Sequence, residues 1–539
     1  MRLLLAFFLF ATTLTWGAVD KNKVFVVADS ANAKSVELAK HYCKFRAIPE
    51  ANIVLLNIPK NNGIVSRKFF RDNIEEPLFR ELLRKGAVSA MDLKVLDFMG
   101  RSELLLNSIN LDFLVLCKGI PWGVTDLPQG KWTIASVSNA SASVDSEISA
   151  RFLSSKRYEG FLKNPAFRKI DSQWRSLGLI RVARLDGASF DDVYKMIENI
   201  AFVENNGLRG RAYLDKSKRA KLGDDWLDVA SDILQKQGFD VSVDERTSVM
   251  GWGQRMDYPA FYFGWYSTAP CGYFTLSNFS AKGMIGWHIY SFSALNMNLK
   301  NSWTSTLVSK GATSTDGNVF EPYLGLTRNI AVFMKLVFEH DLLPAEASFA
   351  SLQALSWQNI YIGDPLYNPL KKSLDEQLKN LSDDDFSQYS IIRKANLIER
   401  EFGGDKARVY LASFVGKIPD TAIKWKLYEL SKNNAEKIIY AQSVAEDISA
   451  NYLGLAFEAC TFLEKMGKWD IAFDTYEKIF HKYISNEKLL RFVAVKAQVA
   501  SRHCSREISP LIKTVLEKIE EEKLKAQQER LKKQQTKKQ

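Results

Sequence analysis

Trp287-His288-Ile289-Tyr290-Ser291-Phe292-Ser293-Ala294 reads as a buried strand that runs out into small and polar residues. Two further segments repeat the pattern. One is Gly311-Ala312-Thr313-Ser314-Thr315-Asp316-Gly317-Asn318-Val319-Phe320-Glu321-Pro322-Tyr323. The other is Ile360-Tyr361-Ile362-Gly363-Asp364-Pro365-Leu366-Tyr367. Apolar runs that end this way are the carboxyl ends of strands feeding loops in an open α/β sheet.

Working outward, strands alternate with helical segments from Lys23 to about Leu370. Val24–Val27, Asn52–Leu56, Leu111–Cys117, Gly178–Val182, Ala212–Asp215, Asp240–Val243, Phe261–Phe263, Met284–Tyr290 and Gly311–Thr315 read as strands. Ser35–Phe45, Phe69–Leu83, Ser189–Glu204 and Trp226–Gln235 carry helical periodicity. Pro77 should kink or split its helix, because it lacks the N–H and its ring clashes with the preceding turn. Ser189 should cap its helix, with Asp191 and Asp192 at the positive end. The alternation predicts a mostly parallel sheet with helices on both faces.

After about Lys371 the strand signals stop. Leu378 to Arg506 reads as consecutive helices. Leu455 to Ala459 followed by Gly467 to Phe480 resembles one tetratricopeptide repeat, with small residues where two helices pack; a generic helical hairpin is the alternative. From Leu511 onward Glu, Lys and Gln dominate, as in a solvated helix, a disordered tail or a short coiled-coil segment. The expected organisation is a signal peptide at 1–18, an α/β domain at 19–370, an all-α, helical-repeat-like domain at 371–510 and a charged tail at 511–539.

Arg2, the apolar run Leu3 to Leu14 and the small residues Gly17 and Ala18 make up the export signal, which implies a secreted or periplasmic protein. No later segment is apolar enough to span a membrane, so no stable insertion is expected after cleavage. The formal charge of +11 suggests nucleic acid at first. It is scattered, however, and no basic patch with interleaved aromatics appears, so nucleic-acid binding is not expected. The five cysteines have neither CxxC nor metal-ligand spacing. At least one must lack an intramolecular partner, and Cys117 reads as a small buried hydrophobe. No Walker loop, GxGxxG, GxSxG or HExxH is present, and neither cofactor nor metal is expected.

Several segments together resemble an uncharacterised family of exported bacterial proteins. They are Tyr42 with Arg46, Ile48 and Pro49; Gly119-Ile120-Pro121; Asp145-Ser146-Glu147; Arg184-Leu185-Asp186-Gly187; His288 to Ala294; Glu321-Pro322-Tyr323-Leu324; and Gly363 to Tyr367. The resemblance covers roughly residues 20 to 370. More distantly, the chain is similar to gingipain-type, caspase-like cysteine peptidases, which implies a caspase-like topology. In those enzymes a His-Gly follows one strand and a Cys follows the next. Here the first position is Gly264-Trp265-Tyr266 and the second is Ser291 or Ser293, so the dyad is missing.

His288, Ser291, Ser293 and Glu321 are the catalytic candidates. An imidazole can serve as base or ligand, or be a hydrogen-bonded structural group. The serines can be nucleophiles if a base is near, or turn formers. If the strand continues through Tyr290, His288 and Ser291 point to opposite faces. Glu321 can be a carboxylate with a raised pKa or the partner of an arginine such as Arg184. Asp145, Glu147, Arg184, Asp186, Trp265 and Asn318 are the ligand-binding candidates. Asp145 and Glu147 can share a divalent cation with other oxygens, or cap the helix ahead of Ile148. Asp364 reads as a turn cap. The expected function is a degenerate peptidase-like binding or scaffold module that contacts a protein partner through its helical domain. A hydrolase using the His/Ser/Glu crevice is the alternative.

Overall fold

Ten strands form one sheet. In chain order they are β1 Val24–Asp29, β2 Ile53–Leu56, β3 Phe113–Cys117, β4 Val182–Leu185, β5 Arg211–Asp215, β6 Val241–Asp244, β7 Pro259–Trp265, β8 Met284–Ile289, β9 Ala312–Asn318 and β10 Asn359–Gly363. They belong to a computed structural model that describes residues 19–97, 100–127, 141–153, 160–170, 174–267 and 270–536. The expected signal peptide, residues 1–18, lies outside the described residues.

Across the sheet the order is β6-β5-β7-β8-β9-β10-β4-β3-β1-β2. Pairing is parallel from β6 to β9 and from β4 to β2. β10 runs antiparallel to β9 and meets β4 through one residue pair, Arg184 opposite Ile362. This is the mostly parallel α/β sheet that the sequence pattern predicts.

Strand parity assigns the cores. In β1, Val24, Val26 and Ala28 point into one apolar core and Phe25 and Val27 into another. The first core runs the full width of the sheet and also takes Phe261, Phe263, Ile285 and Trp287. Its cover is the apolar stripes of helices Ala33–Arg46, Phe190–Asn206, Lys221–Lys236 and Ile330–Glu339. On the opposite face the covering changes midway. Over β1, β3 and β2 it is the local helix Glu76–Arg84, through Leu78, Phe79 and Leu82. Over β5, β7 and β8 it is the carboxyl-terminal helices, which share one core with Tyr213, Tyr262 and Met284.

Helix pairs in that region begin at Ser387, Thr421, Leu453 and Glu487, a spacing of about 34 residues. They are joined to the sheet by polar contacts as well. Tyr389 donates to Asp257 at 2.8 Å, and Tyr258 donates to Asp385 at 2.7 Å. The change of composition near Lys371 is therefore a change of element type within a shared core. The tail forms a helix, Pro510–Thr536, tied back by Arg491 to Glu522 and by Lys518 to Glu487.

Several local readings hold and others shift. Ser189 and Asp192 form a reciprocal capping box. Ahead of Pro77 the helix opens into a π turn, Arg71–Glu75, before Glu76–Arg84 resumes. The strand expected at Gly178–Val182 lies instead at Val182–Leu185; Leu179 and Ile180 are buried without joining the sheet. A separate hairpin, Val88–Leu96 with Ser102–Ile109, is added to the expected set. All five cysteines are free thiols, and Cys117 is buried in β3, where burial raises its pKa. No helix among the described residues is long and apolar enough to cross a membrane.

Candidate functional site

β8 and β3 run in opposite directions, because β10 is antiparallel to β9 and parallel to β4, yet the segments that follow them come into contact. Lys118 Nζ reaches Asn298 Oδ1 at 2.8 Å, and Trp122 Nε1 donates to Leu295 O at 3.1 Å. The loops at the carboxyl ends of β7, β8 and β9 are joined to one another: Tyr266 N–H donates to Ile289 O, and Phe292 N–H to Phe320 O, both at 3.0 Å. Three aromatic residues here, Tyr266, Phe292 and Tyr323, have φ of 70°, 62° and 59°, a left-handed backbone that bulky side chains rarely adopt. Tyr266 and Tyr323 are about half exposed, so the strand ends carry an aromatic rim.

His288 lies beneath this rim and does not face it. Its ring is buried and stacks on Trp303. The Ser267 N–H donates to Nε2 at 3.0 Å, so the ring proton sits on Nδ1, 3.1 Å from Tyr262 Oη. The Tyr262 hydroxyl in turn donates to Asp215 Oδ2 at 3.1 Å. Burial lowers the His288 pKa to about 3 and raises that of Asp215 to about 7. Gly264 makes room for the chain of contacts: a Cβ there would lie 2.8 Å from both His288 Nδ1 and the Asp215 Cβ. Among the described residues, no hydrogen bond joins His288 to Ser291, Ser293 or Glu321.

Ser291 does meet Glu321, to which its hydroxyl donates. The second Glu321 oxygen accepts the Tyr323 N–H at 2.9 Å. Glu321 makes no ion pair with Arg184. Ser293 is buried, and its hydroxyl accepts the Asn318 N–H at 2.9 Å. Asn318 in turn bridges the Tyr290 carbonyl at 3.2 Å and Asn359 at 2.6 Å. Trp265 is turned away toward the helix Lys221–Lys236, donating to Asp224 at 2.8 Å.

Arg184, fully buried, is the hub of a second cluster. Its Nε contacts both oxygens of Asp145, at 2.9 and 2.7 Å, while its Nη atoms donate to the carbonyls of Ile120 and Pro121. Burial raises the Asp145 carboxyl above its ordinary range and Arg184 opposes that shift. Glu147 takes a hydrogen bond from Ser356 and lies 3.8 Å from Arg67. Asp145 and Glu147 thus face separate partners, and the helix cap ahead of Ile148 is Ser143. Asp364 does cap its turn, accepting the Leu366 N–H at 2.8 Å, and also holds Tyr42 at 2.6 Å. Among the described residues, no group of three or more His, Cys, Asp or Glu is placed to hold a metal.

Of the expected ligand-binding residues, Asp186 lines a cleft of about 420 Å³ bounded by the ends of β1, β2 and β3, and Asp145 lines a much smaller cavity of about 20 Å³. Asp29 and Lys118 share the cleft with Asp186. Both stand in strand-end loops visible in the sequence, but their convergence depends on strand order, which the chain does not spell out. Trp303 and Tyr262, which decide the state of His288, carry no motif either. Comparison with protein families, curated proteins and solved structures finds no match.

Proposed function

We propose that the chain is an exported, non-catalytic binding or scaffold module: a degenerate peptidase-like α/β domain carrying a tetratricopeptide-like helical region that presents a surface to a protein partner. The observation that carries this reading is the sealing of His288, with both ring nitrogens engaged and its face covered by Trp303. A general base must reach the proton it removes, and this ring reaches neither serine. No cysteine stands between β8 and β9, where the resemblance to caspase-like enzymes would place the nucleophile, and Cys271, in the segment after β7, is a buried thiol whose pKa burial raises. The recurring helix pairs support the interaction surface, since stacked pairs present extended concave faces.

The test is covalent labelling of the purified protein with a fluorophosphonate and with iodoacetamide, read by intact mass. No label on serine, and labelling of cysteine confined to the partly exposed Cys504 until the chain is unfolded, is the expected result. Stoichiometric modification of Ser291 or Ser293 would overturn it.

One observation favours a second reading, a hydrolase. The Ser291 hydroxyl donates directly to Glu321, so a carboxylate could take the proton of a serine nucleophile without His288. Glu321→Gln separates the two readings: it abolishes turnover in a hydrolase and leaves partner binding through the helices intact.

A further inference from the structure

β1 has β2 on one side and β3 on the other. The chain therefore leaves β1 in one direction and resumes the sheet in the other. At such a reversal the connections diverge onto opposite faces, and a crevice opens outside the strand carboxyl ends; ligands of open α/β sheets bind there. The 420 Å³ cleft occupies this position, with Asp29 and Asn32 from the end of β1, Lys118 from the end of β3, Asp186 from the end of β4, and Asn298 closing one side.

The charges in the cleft select the ligand. Lys118 Nζ has three donors and three protein acceptors: Gly187 O at 2.6 Å, Asn298 Oδ1 at 2.8 Å and Asp186 Oδ1 at 3.4 Å. Its charge is matched by Asp186 and no donor is left for an anion. Asp29 is different. It is 7% exposed, and its Oδ1 accepts the N–H groups of Ala31 at 2.9 Å and Ile58 at 3.2 Å. Its Oδ2 has no partner among the described residues, and no cation pairs with it. An enclosed carboxylate with one engaged oxygen and one open to a cleft is suited to a cationic donor. Beside it, Asn32 and Asn298 have their oxygens engaged by Lys34 N–H and Lys118, which leaves their Nδ2 donors to face a ligand.

We propose that this cleft binds a small molecule through a protonated primary amine on Asp29 Oδ2, with a hydroxyl or carbonyl oxygen of the same molecule on Asn32 or Asn298. The volume suits a single amino sugar or one or two amino-acid residues. This goes beyond the scaffold reading and holds whether or not Ser291 reacts. A metal ion is disfavoured because the second carboxylate, Asp186, is already held by Lys118, the Gly187 N–H and Arg184.

Isothermal titration calorimetry on the full chain tests the proposal with glucosamine, the dipeptide Gly-Lys, their N-acetylated counterparts, and calcium and magnesium chloride. At least one of the two amines should bind, and acetylation of its amine should weaken it by about tenfold or more. Binding of glucosamine alone identifies an amino-sugar source, and binding of the dipeptide alone a peptide source. Asp29→Asn keeps the oxygen that accepts from Ala31 and Ile58, so it should retain the melting temperature and lose about tenfold in affinity. Ala31→Trp, at the exposed mouth of the cleft, should block binding sterically and decides the matter if Asp29→Asn does not fold. Failure of both amines to bind at millimolar concentration would overturn the proposal. So would amine binding that neither variant alters, or calcium or magnesium binding lost in Asp29→Asn while the amines do not bind.

Discussion

The His288 imidazole lies flat on the Trp303 indole, ring centroids 3.9 Å apart and planes within 2°. That contact, with the Ser267 N–H and the Tyr262 hydroxyl on the two ring nitrogens, makes His288 part of the core. His288→Gln should cost about 2–4 kcal/mol, combining a lost stack with disturbed buried hydrogen bonds. It should also change the pH profile. Folding lowers the His288 pKa from 6.5 to about 3. Between those values the unfolded chain binds the extra proton, so His288 adds stability as pH rises, fully present above 6.5 and lost toward 3. Chemical denaturation at several pH values should show this slope in wild type and its loss in His288→Gln. An unchanged slope would contradict a buried neutral ring.

Asp215 should act in the opposite direction. Its pKa rises from 3.8 to about 7 on folding, chiefly by burial. The folded state holds the proton more tightly, so this contribution is present below 3.8 and disappears as pH passes through 7. Asp215→Asn keeps an acceptor for Tyr262 and Met250 and removes the ionisation. Its melting temperature should fall less than that of wild type between about pH 5 and pH 8. Parallel curves would mean that Asp215 does not titrate in this range.

Arg184→Ala should be among the most damaging single changes, at about 3–5 kcal/mol, because Asp145 is left buried without its cation and two carbonyls lose their donor. Arg184→Met with Asp145→Leu should recover part of that loss, since an apolar pair removes both charges together. If the double variant is no more stable than Arg184→Ala, the pair is needed for its geometry and not only for charge balance.

Proteolysis between Leu370 and Asp375 should nick the chain without separating it. The sheet residues Tyr213, Tyr262 and Met284 share a core with Tyr389, Trp425 and Leu455 beyond the nick. The fragments should co-elute in size-exclusion chromatography and part only in denaturant, and a chain ending at Leu370 should aggregate through the exposed sheet face. The tail beyond Leu524 should be trimmed first. Independent elution of two folded fragments would show that the interface is weak.

What the sequence determined by itself was local. The continuous apolar run that opens Val24–Asp29, buried along its whole length, and helical stripes such as Val193, Met196, Ile197 and Ile200 follow from which side chains must leave water, so strand–helix alternation and the switch to helices after Lys371 were legible. So were the Ser189 cap, the disruption at Pro77 and the Asp364 turn, each set by a residue and its near neighbours. Where burial comes from distant partners, the pattern misled. Leu179 and Ile180 are apolar because other segments cover them, which moved an expected strand by several residues.

The tertiary structure alone decided the site. His288 reads in the sequence as a base or ligand, or as a hydrogen-bonded structural group, and Trp303 and Tyr262, distant from it in the chain, remove it from the crevice. The sequence offered Arg184 as a partner for Glu321; the packing of the Val144–Ser149 helix against β4 pairs it with Asp145 instead. The cleft at Asp29 and Lys118 exists because β1 lies between β2 and β3, and strand order is a property of long-range pairing that no local pattern encodes.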